Sequence, residues 1–184
     1  MAKNVRKRGR PAQNQSQLTA ELIILSARNL MQENAKVPSI RQISSRLDVD
    51  PMAIYHYFSS KSVLLEALTV SLIEDIYEPQ EADLWQGELE ALCKSYLELL
   101  RQYSGLLETL LSMKSFGPSQ VFNQRLTIAL APLQLSETVF VQARDLIVDY
   151  IHGVALAAQC HSEGLPTECI DGPLSFICSG LVNR

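Results

Sequence analysis

The chain has 184 residues, 47% of them hydrophobic and 20% charged, with a formal net charge of −4, a composition of folded globular proteins that excludes a disordered or fibrous chain. Its longest uncharged stretch, Tyr150 to Ser162, is 13 residues and holds two His, short of the roughly 20 apolar residues a membrane span needs. The charge is unevenly divided: residues 1–64 hold ten Lys and Arg against four Asp and Glu (+6), whereas residues 65–184 hold six against sixteen (−10), so the N-terminal third is the part suited to a polyanion.

Residues 1–17 carry Arg6, Lys7, Arg8 and Arg10 among Gly, Pro, Gln and Ser, without apolar periodicity, and are expected to form a flexible basic arm. The residues after the basic cluster are polar rather than an apolar signal core, so the chain is read as cytoplasmic. Two readings of the arm stay open: it enters the minor groove of DNA beside a reading head, or it is a solvated basic tail with nonspecific attraction.

Thr19 is placed to cap a first helix with Ile23, Ala27, Leu30 and Met31 as its apolar stripe, ending near Asn34, a residue that tolerates the left-handed position after a helix. Ser39 followed by Gln42 forms a capping box, so a second helix starts at Ile40 and buries Ile40, Ile43 and Leu47. Asp48 tolerates the left-handed conformation a sharp bend requires, and Asp50-Pro51 restarts a helix, since Asp caps the free N–H groups and Pro lacks one. Ile54 and Phe58 give this third helix its core face. Its outer face shows Pro51, Met52, Ala53, Tyr55, His56 and Tyr57. Two short helices joined by a tight turn describe a helix-turn-helix; a plain helical hairpin is the alternative. Ser60 caps a fourth helix with Leu64, Leu68, Leu72 and Ile76 on one face, long enough to reach a second domain.

Tyr77 to Leu84 breaks the pattern and reads as a connector. Beyond it the periodicity is helical throughout, without the alternation of strands. Leu89, Leu92, Tyr96, Leu99 and Leu100 mark one helix, stopped near Ser104 and Gly105. Leu106 to Met113 is a shorter one, ended by Phe116-Gly117-Pro118. Val121 to Leu130 is another, closed by Pro132. Ser136 caps the longest, running toward Glu163, with Phe140, Ala143, Ile147, Ile151 and Val154 as its stripe, and Pro173 to Leu181 forms a last helix. The four Cys, at 93, 160, 169 and 178, contain no C-x-x-C pair and fit no zinc spacing; they are expected to be reduced and mostly buried, with no metal and no cofactor bound.

The stretch from Leu18 to about Ile76, densest at I-Y-H-Y-F-S-S-K-S-V-L-L-E-A-L (residues 54–68), resembles the TetR family of transcriptional regulators; Ser44 and Asp48 depart from it, where the family usually has Ala and Gly. W-Q-G-E-L-E-A-L, L-Q-L-S-E and Y-I-H-G-V-A-L in the second half resemble its effector domain more loosely. The resemblance implies an all-α chain. Residues 1–17 form the arm, 18–77 the DNA-binding head, and 78–184 a helical domain for effector binding and dimerisation. Its fourth helix links the two domains mechanically. The family's DNA-facing positions fall on Ser39, Arg41, Pro51, Met52, Ala53, Tyr55, His56, Tyr57 and Lys61. Arg41 suits guanine O6 and N7, with a phosphate contact as its alternative; Met52 and Ala53 offer apolar contact; Tyr55, His56 and Lys61 suit phosphates.

One such head makes few base contacts, so a homodimer on a palindromic operator is expected, joined through the C-terminal helices, where Gly153, Ala155, Ala157 and Ala158 permit close packing or pack inside one subunit. A small-molecule effector, with no pocket residue singled out, would release a repressor by population shift. An enzyme using Asp149, His152 or His161 lacks any nucleophile, phosphate loop or metal motif. A helical scaffold that retains a helix-turn-helix without reading DNA is the remaining alternative.

Overall fold

The computed structural model describes residues 18–81, 84–103, 105–113, 117–160 and 165–183; the basic arm and the residues Ser104, Phe116, His161, Glu163 and Gly164 named above lie outside them. Among the described residues every regular element is a helix: α1 (Ala20–Asn34), α2 (Ile40–Leu47), α3 (Pro51–Tyr55), α4 (Lys61–Ile73), α5 (Trp85–Gln102), α6 (Leu106–Ser112), α7 (Gly117–Leu130), α8 (Glu137–Cys160) and α9 (Asp171–Val182). Two 3-10 turns, Ala131–Leu133 and Thr167–Ile170, precede α8 and α9.

The head is built on side-chain caps. Thr19 Oγ1 accepts from Leu22 N at 3.1 Å. Ser39 Oγ accepts from Gln42 N at 3.3 Å while Gln42 Oε1 accepts from Ser39 N at 2.8 Å, a reciprocal capping box. Asp50 Oδ1 accepts from Met52 N at 2.8 Å, and Ser60 Oγ from Val63 N at 3.2 Å. Asp48 takes the left-handed conformation at φ 53° and closes the turn through its N–H to the carbonyls of Ser44 and Ser45. Ile23, Ile43, Ile54 and Leu64 are fully buried where these short helices meet.

Three local expectations are corrected. The left-handed residue after α1 is Ala35, at φ 51°, because Asn34 stays helical and its Nδ2 donates back to the Leu30 carbonyl at 2.9 Å. The third helix stops at Tyr55, so Phe58 is buried from the turn beyond it; the chain must extend to Ser60, whose backbone is extended at φ −153° to cap α4. Gly117 and Pro118 open α7 instead of ending α6, since a Pro in a first helical turn leaves no bond unmade. A β-carbon at Gly117 would lie 3.2 Å from both Glu66 Oε1 and Val70 Cγ2, so the small residue lets α7 approach α4 closely.

α4 packs against α1 of the head and also against α5, α6 and α7, so it belongs to both halves. Arg28 of α1 holds it by an ion pair to Asp75 and a 3.2 Å bond to Ser71 Oγ. After α4 ends, Ile76 is buried, and the connector is pinned to α5: Tyr77 N donates to Ser95 Oγ at 2.8 Å, and Glu88 accepts from Tyr77 Oη at 3.0 Å and from Gln80 N at 2.8 Å. α5 runs through the centre of the second half, touching α7, α8 and α9, and Leu89, Leu92, Cys93 and Leu97 are buried along it.

α8 buries Ala143, Ile147, Ile151 and Ala155 on its inner face. Its outer face and that of α9 leave Leu146, Leu156, Val182 and Phe176 exposed, the last at 82%. Gly153 and Ala157 lie exposed there, Ala158 is half-buried, and Ala155 is packed inside its own subunit. The cysteines are free; Cys93 is buried and Cys169 and Cys178 half-buried, but Cys160 is exposed, since the outer face of α8 carries it.

Candidate DNA interface and internal pocket

The head presents one exposed face around α2 and α3. Arg41, Met52, Tyr55, His56, Tyr57 and Lys61 are exposed, and Ser39, Pro51 and Ala53 half-buried, because Ile40, Ile43 and Ile54 on the opposite faces are taken up by the core. Met52 and Tyr55, 62% and 40% exposed, are large side chains without a packing role that accounts for their exposure. Two nominated side chains are partly spoken for. The Ser39 hydroxyl is engaged in its capping box. The Tyr57 hydroxyl donates to the Leu18 carbonyl, tying the turn after α3 to the residues just before α1 and leaving its ring as the exposed part.

Charge pairing separates structural cations from free ones. Arg28 is taken by Asp75 and Arg46 by Glu33, so neither has an unclaimed charge for a phosphate. Arg41 and Lys61 make no ion pair among the described residues. Lys61 opens α4, where backbone N–H groups favour an anion. Lys36 is also exposed, but a β-carbon at Gly105, before α6, would lie 4.0 Å from its Cα, which puts it on the side of the head turned to the second half.

A cavity of about 480 Å³ lies within the second half, lined by Ile73 of α4, Tyr96 of α5, Leu110 of α6, Phe122 of α7 and a polar strip of α8. Its size is that of a small-molecule site. Tyr96 and Phe122 meet at a ring-centroid distance of 4.9 Å, and Tyr96 Oη lies 2.8 Å from His152 Nε2. Burial raises the pKa of the Tyr96 phenol and lowers that of His152, with nearby Asp149 opposing the second shift. Among the aromatic residues of this half, Tyr96 and Phe122 line the cavity, while Trp85 and Tyr103 are core. The strip on α8, Arg144, Asp145, Val148, Asp149 and His152, was not found as a set by sequence reasoning. Its signal is a second helical stripe, 144, 148 and 152, beside the apolar one at 143, 147 and 151.

The cavity is coupled to the end of α4. Arg125 of α7 donates from Nη1 to the carbonyls of Ile73 at 3.1 Å and Ile76 at 2.5 Å, and from Nη2 to that of Glu74 at 2.6 Å. One guanidinium thus bonds three carbonyls at and just beyond the helix end, where helical partners run out; that of Ile73 also accepts from Ile76 N at 3.2 Å. Ile73 and Phe122, one at the end of α4 and one a turn before Arg125, both line the cavity. Among the described residues no group of three His, Cys, Asp or Glu is placed to hold a metal, and no helix is long and apolar enough to cross a membrane.

A helix-turn-helix head with an exposed face around α2 and α3, joined by one shared helix to a bundle with a cavity open to its surface, has the architecture of a DNA-binding regulator with a built-in small-molecule domain. Residues 23–68 match the family model described as bacterial regulatory proteins, tetR family, and residues 78–168 the model of the tetracyclin repressor-like C-terminal domain. The chain belongs to the TetR family and is a ligand-responsive DNA-binding regulator, with the family's dimerisation domain at its C-terminus. Solved structures share its fold. ActR of Streptomyces coelicolor in complex with (S)-DNPA matches at TM-score 0.76 and 15% identity, over 91% of this chain and 98% of that one. BioQ with its double-stranded DNA operator matches at 0.73 and 19%, over 91% and 100%. A TetR variant from Acinetobacter baumannii AYE in complex with minocycline matches at 0.69 and 21%, over 91% and 96%. No curated protein sequence matches the chain.

Proposed function

We propose that the chain is a cytoplasmic, non-enzymatic repressor that binds a palindromic operator as a homodimer and leaves it when a small molecule fills the cavity. Residues 18–77 act as the DNA-binding head and 78–184 as the effector and dimer domain. The outer face of α8 and α9, with Phe176 and Leu146 exposed, is the self-complementary surface such a dimer buries. Arg41 reads a base edge. Met52 and Ala53 make apolar contacts in the groove, with Pro51 beside them opening α3. Tyr55, His56 and Lys61 hold phosphates, Ser39 and the Tyr57 ring flank them, and Arg6, Lys7, Arg8 and Arg10 follow the adjacent backbone or minor groove. What supports this reading is an exposed face around α2 and α3 whose Arg41, with Lys61 at the start of α4, makes no ion pair among the described residues, while Arg28 and Arg46 do.

Release follows from the Arg125 clamp. A ligand that favours one spacing of α7 against α5 and α8 moves the end of α4 with it, and α4 is packed on α1 of the head. The ligand shifts the equilibrium only by its differential affinity for the two arrangements. Selection of bound sequences from a random DNA pool, repeated with Arg41→Ala, tests the reading. The expected result is a palindrome that loses preference at one symmetric pair of positions, worth about 1 to 3 kcal/mol of discrimination. Weak, sequence-blind binding by the unaltered protein would refute it.

A further inference from the structure

The polar strip of the cavity has one charge left over. Arg144 and Asp145 neutralise each other, with Nε and Nη2 of the guanidinium 2.8 and 2.7 Å from Asp145 Oδ1. Asp149, one turn further along α8, lines the same cavity and is exposed, with no ion pair among the described residues. His152 is no counter-ion for it. Burial holds the ring toward its neutral form, and the Tyr96 phenol, kept protonated by its own burial, has Nε2 as its hydrogen-bond partner. A phenol that donates leaves Nε2 as the acceptor and places the ring proton on Nδ1.

The remaining walls carry no charge: Ile73, Leu110, Met113 and Val148 with the rings of Tyr96 and Phe122 make most of them, and the uncharged polar residues Ser119 and Asn123 complete the lining. An anionic ligand would meet an uncompensated carboxylate and no free cation among the described lining residues. A neutral ligand would shield Asp149 from water and give its charge nothing in return, which costs free energy. A positively charged ligand meets neither difficulty, and aromatic faces attract cations as well. Taking the cavity to be the effector site, as proposed above, we infer that the effector is an amphipathic organic cation, its charge set against Asp149 and its apolar body against Phe122 and Tyr96.

Tetraphenylphosphonium and tetraphenylborate, alike in shape and opposite in charge, test this when titrated calorimetrically into the full-length protein and into Asp149→Asn and Leu111→Trp. Both positions are exposed, so the variants fold, and Trp at 111 obstructs the cavity it lines. The expected result is that the phosphonium ion binds more tightly than the borate, loses about two- to five-fold in affinity in Asp149→Asn, as one partly exposed charge pair allows, and loses binding in Leu111→Trp. Equal or tighter binding of the borate, unchanged phosphonium binding in Asp149→Asn, or binding of neither ion overturns the cationic class. Uncharged Nile red separates this from failure of the effector-site reading: binding that Leu111→Trp abolishes keeps the cavity as a ligand site whatever charge it prefers.

Discussion

The two halves of the chain reach the same kind of structure by different means. In the head, α1, α2, α3 and α4 each begin at a residue whose side chain bonds the first free backbone N–H groups: Thr19, Ser39, Asp50 and Ser60. In the second half, α5, α6 and α9 begin at Leu84, Gly105 and Ile170 with no side-chain cap, although α8 has one, Ser136 Oγ accepting from Val139 N at 3.4 Å. The difference follows helix length and depth of packing. α3 has five residues and α2 eight, so unpaired end groups are a large share of their backbone and caps decide whether they form. α5 has eighteen residues and buries eight of them, so packing supplies what its N-terminus lacks. The head is therefore specified more by its local sequence, and the second half more by packing between its helices.

The largest effect that sharpens this contrast is expected from Ile54→Ala. Ile54 is fully buried at the junction of α3 with the head core, and its truncation should cost about 2 to 5 kcal/mol. Amide exchange followed region by region should show the head opening while α5 and α8 stay protected; equal loss in both regions breaks the comparison. Arg125→Ala comes next, since it leaves three carbonyls at the end of α4 without a charged donor. A destabilisation of about 2 kcal/mol in urea is expected, with operator affinity altered although residue 125 is far from the reading face, and partial recovery in Arg125→Lys. Ser39→Ala should cost about 1 kcal/mol, read as a lower urea midpoint, with exchange in α5 unaffected.

The smallest effect concerns acid. Burial lowers the His152 pKa from its ordinary 6.5, so the unfolded chain takes up a proton at a higher pH than the folded one. Stability attributable to this residue is therefore unaffected well above pH 6.5 and falls as the pH drops through 6.5 toward the lower folded value. His152→Gln keeps a hydrogen-bonding group beside Tyr96 and cannot titrate. Its melting temperature should fall less between pH 7.5 and 5.5 than that of the unaltered protein; parallel falls would assign the acid sensitivity elsewhere.

The head was legible because its signals are adjacent in the chain: Ser39 with Gln42, Asp48 at the bend, Asp50 with Pro51. Even there, neighbours overrode propensity at single positions. Ala35 rather than Asn34 went left-handed once Asn34 found the Leu30 carbonyl, and α3 ended early because Ser60 was needed as a cap. In the second half the apolar stripes located the helices, but Gly117-Pro118 reads equally as a stop or a start, and only the approach of α7 to α4 chose between them.

The amino-acid sequence by itself determined the all-α class, the helix-turn-helix, the exposed residues around α2 and α3 and the family, because caps, turn residues and helical periodicity act over a few positions. Tertiary structure alone decided which cations were spent on Asp75 and Glu33, which aromatic residues faced the cavity rather than the core, and that Arg125 would close the end of a helix about fifty residues earlier in the chain. Those pairings join positions that only packing brings together, and no local propensity encodes them.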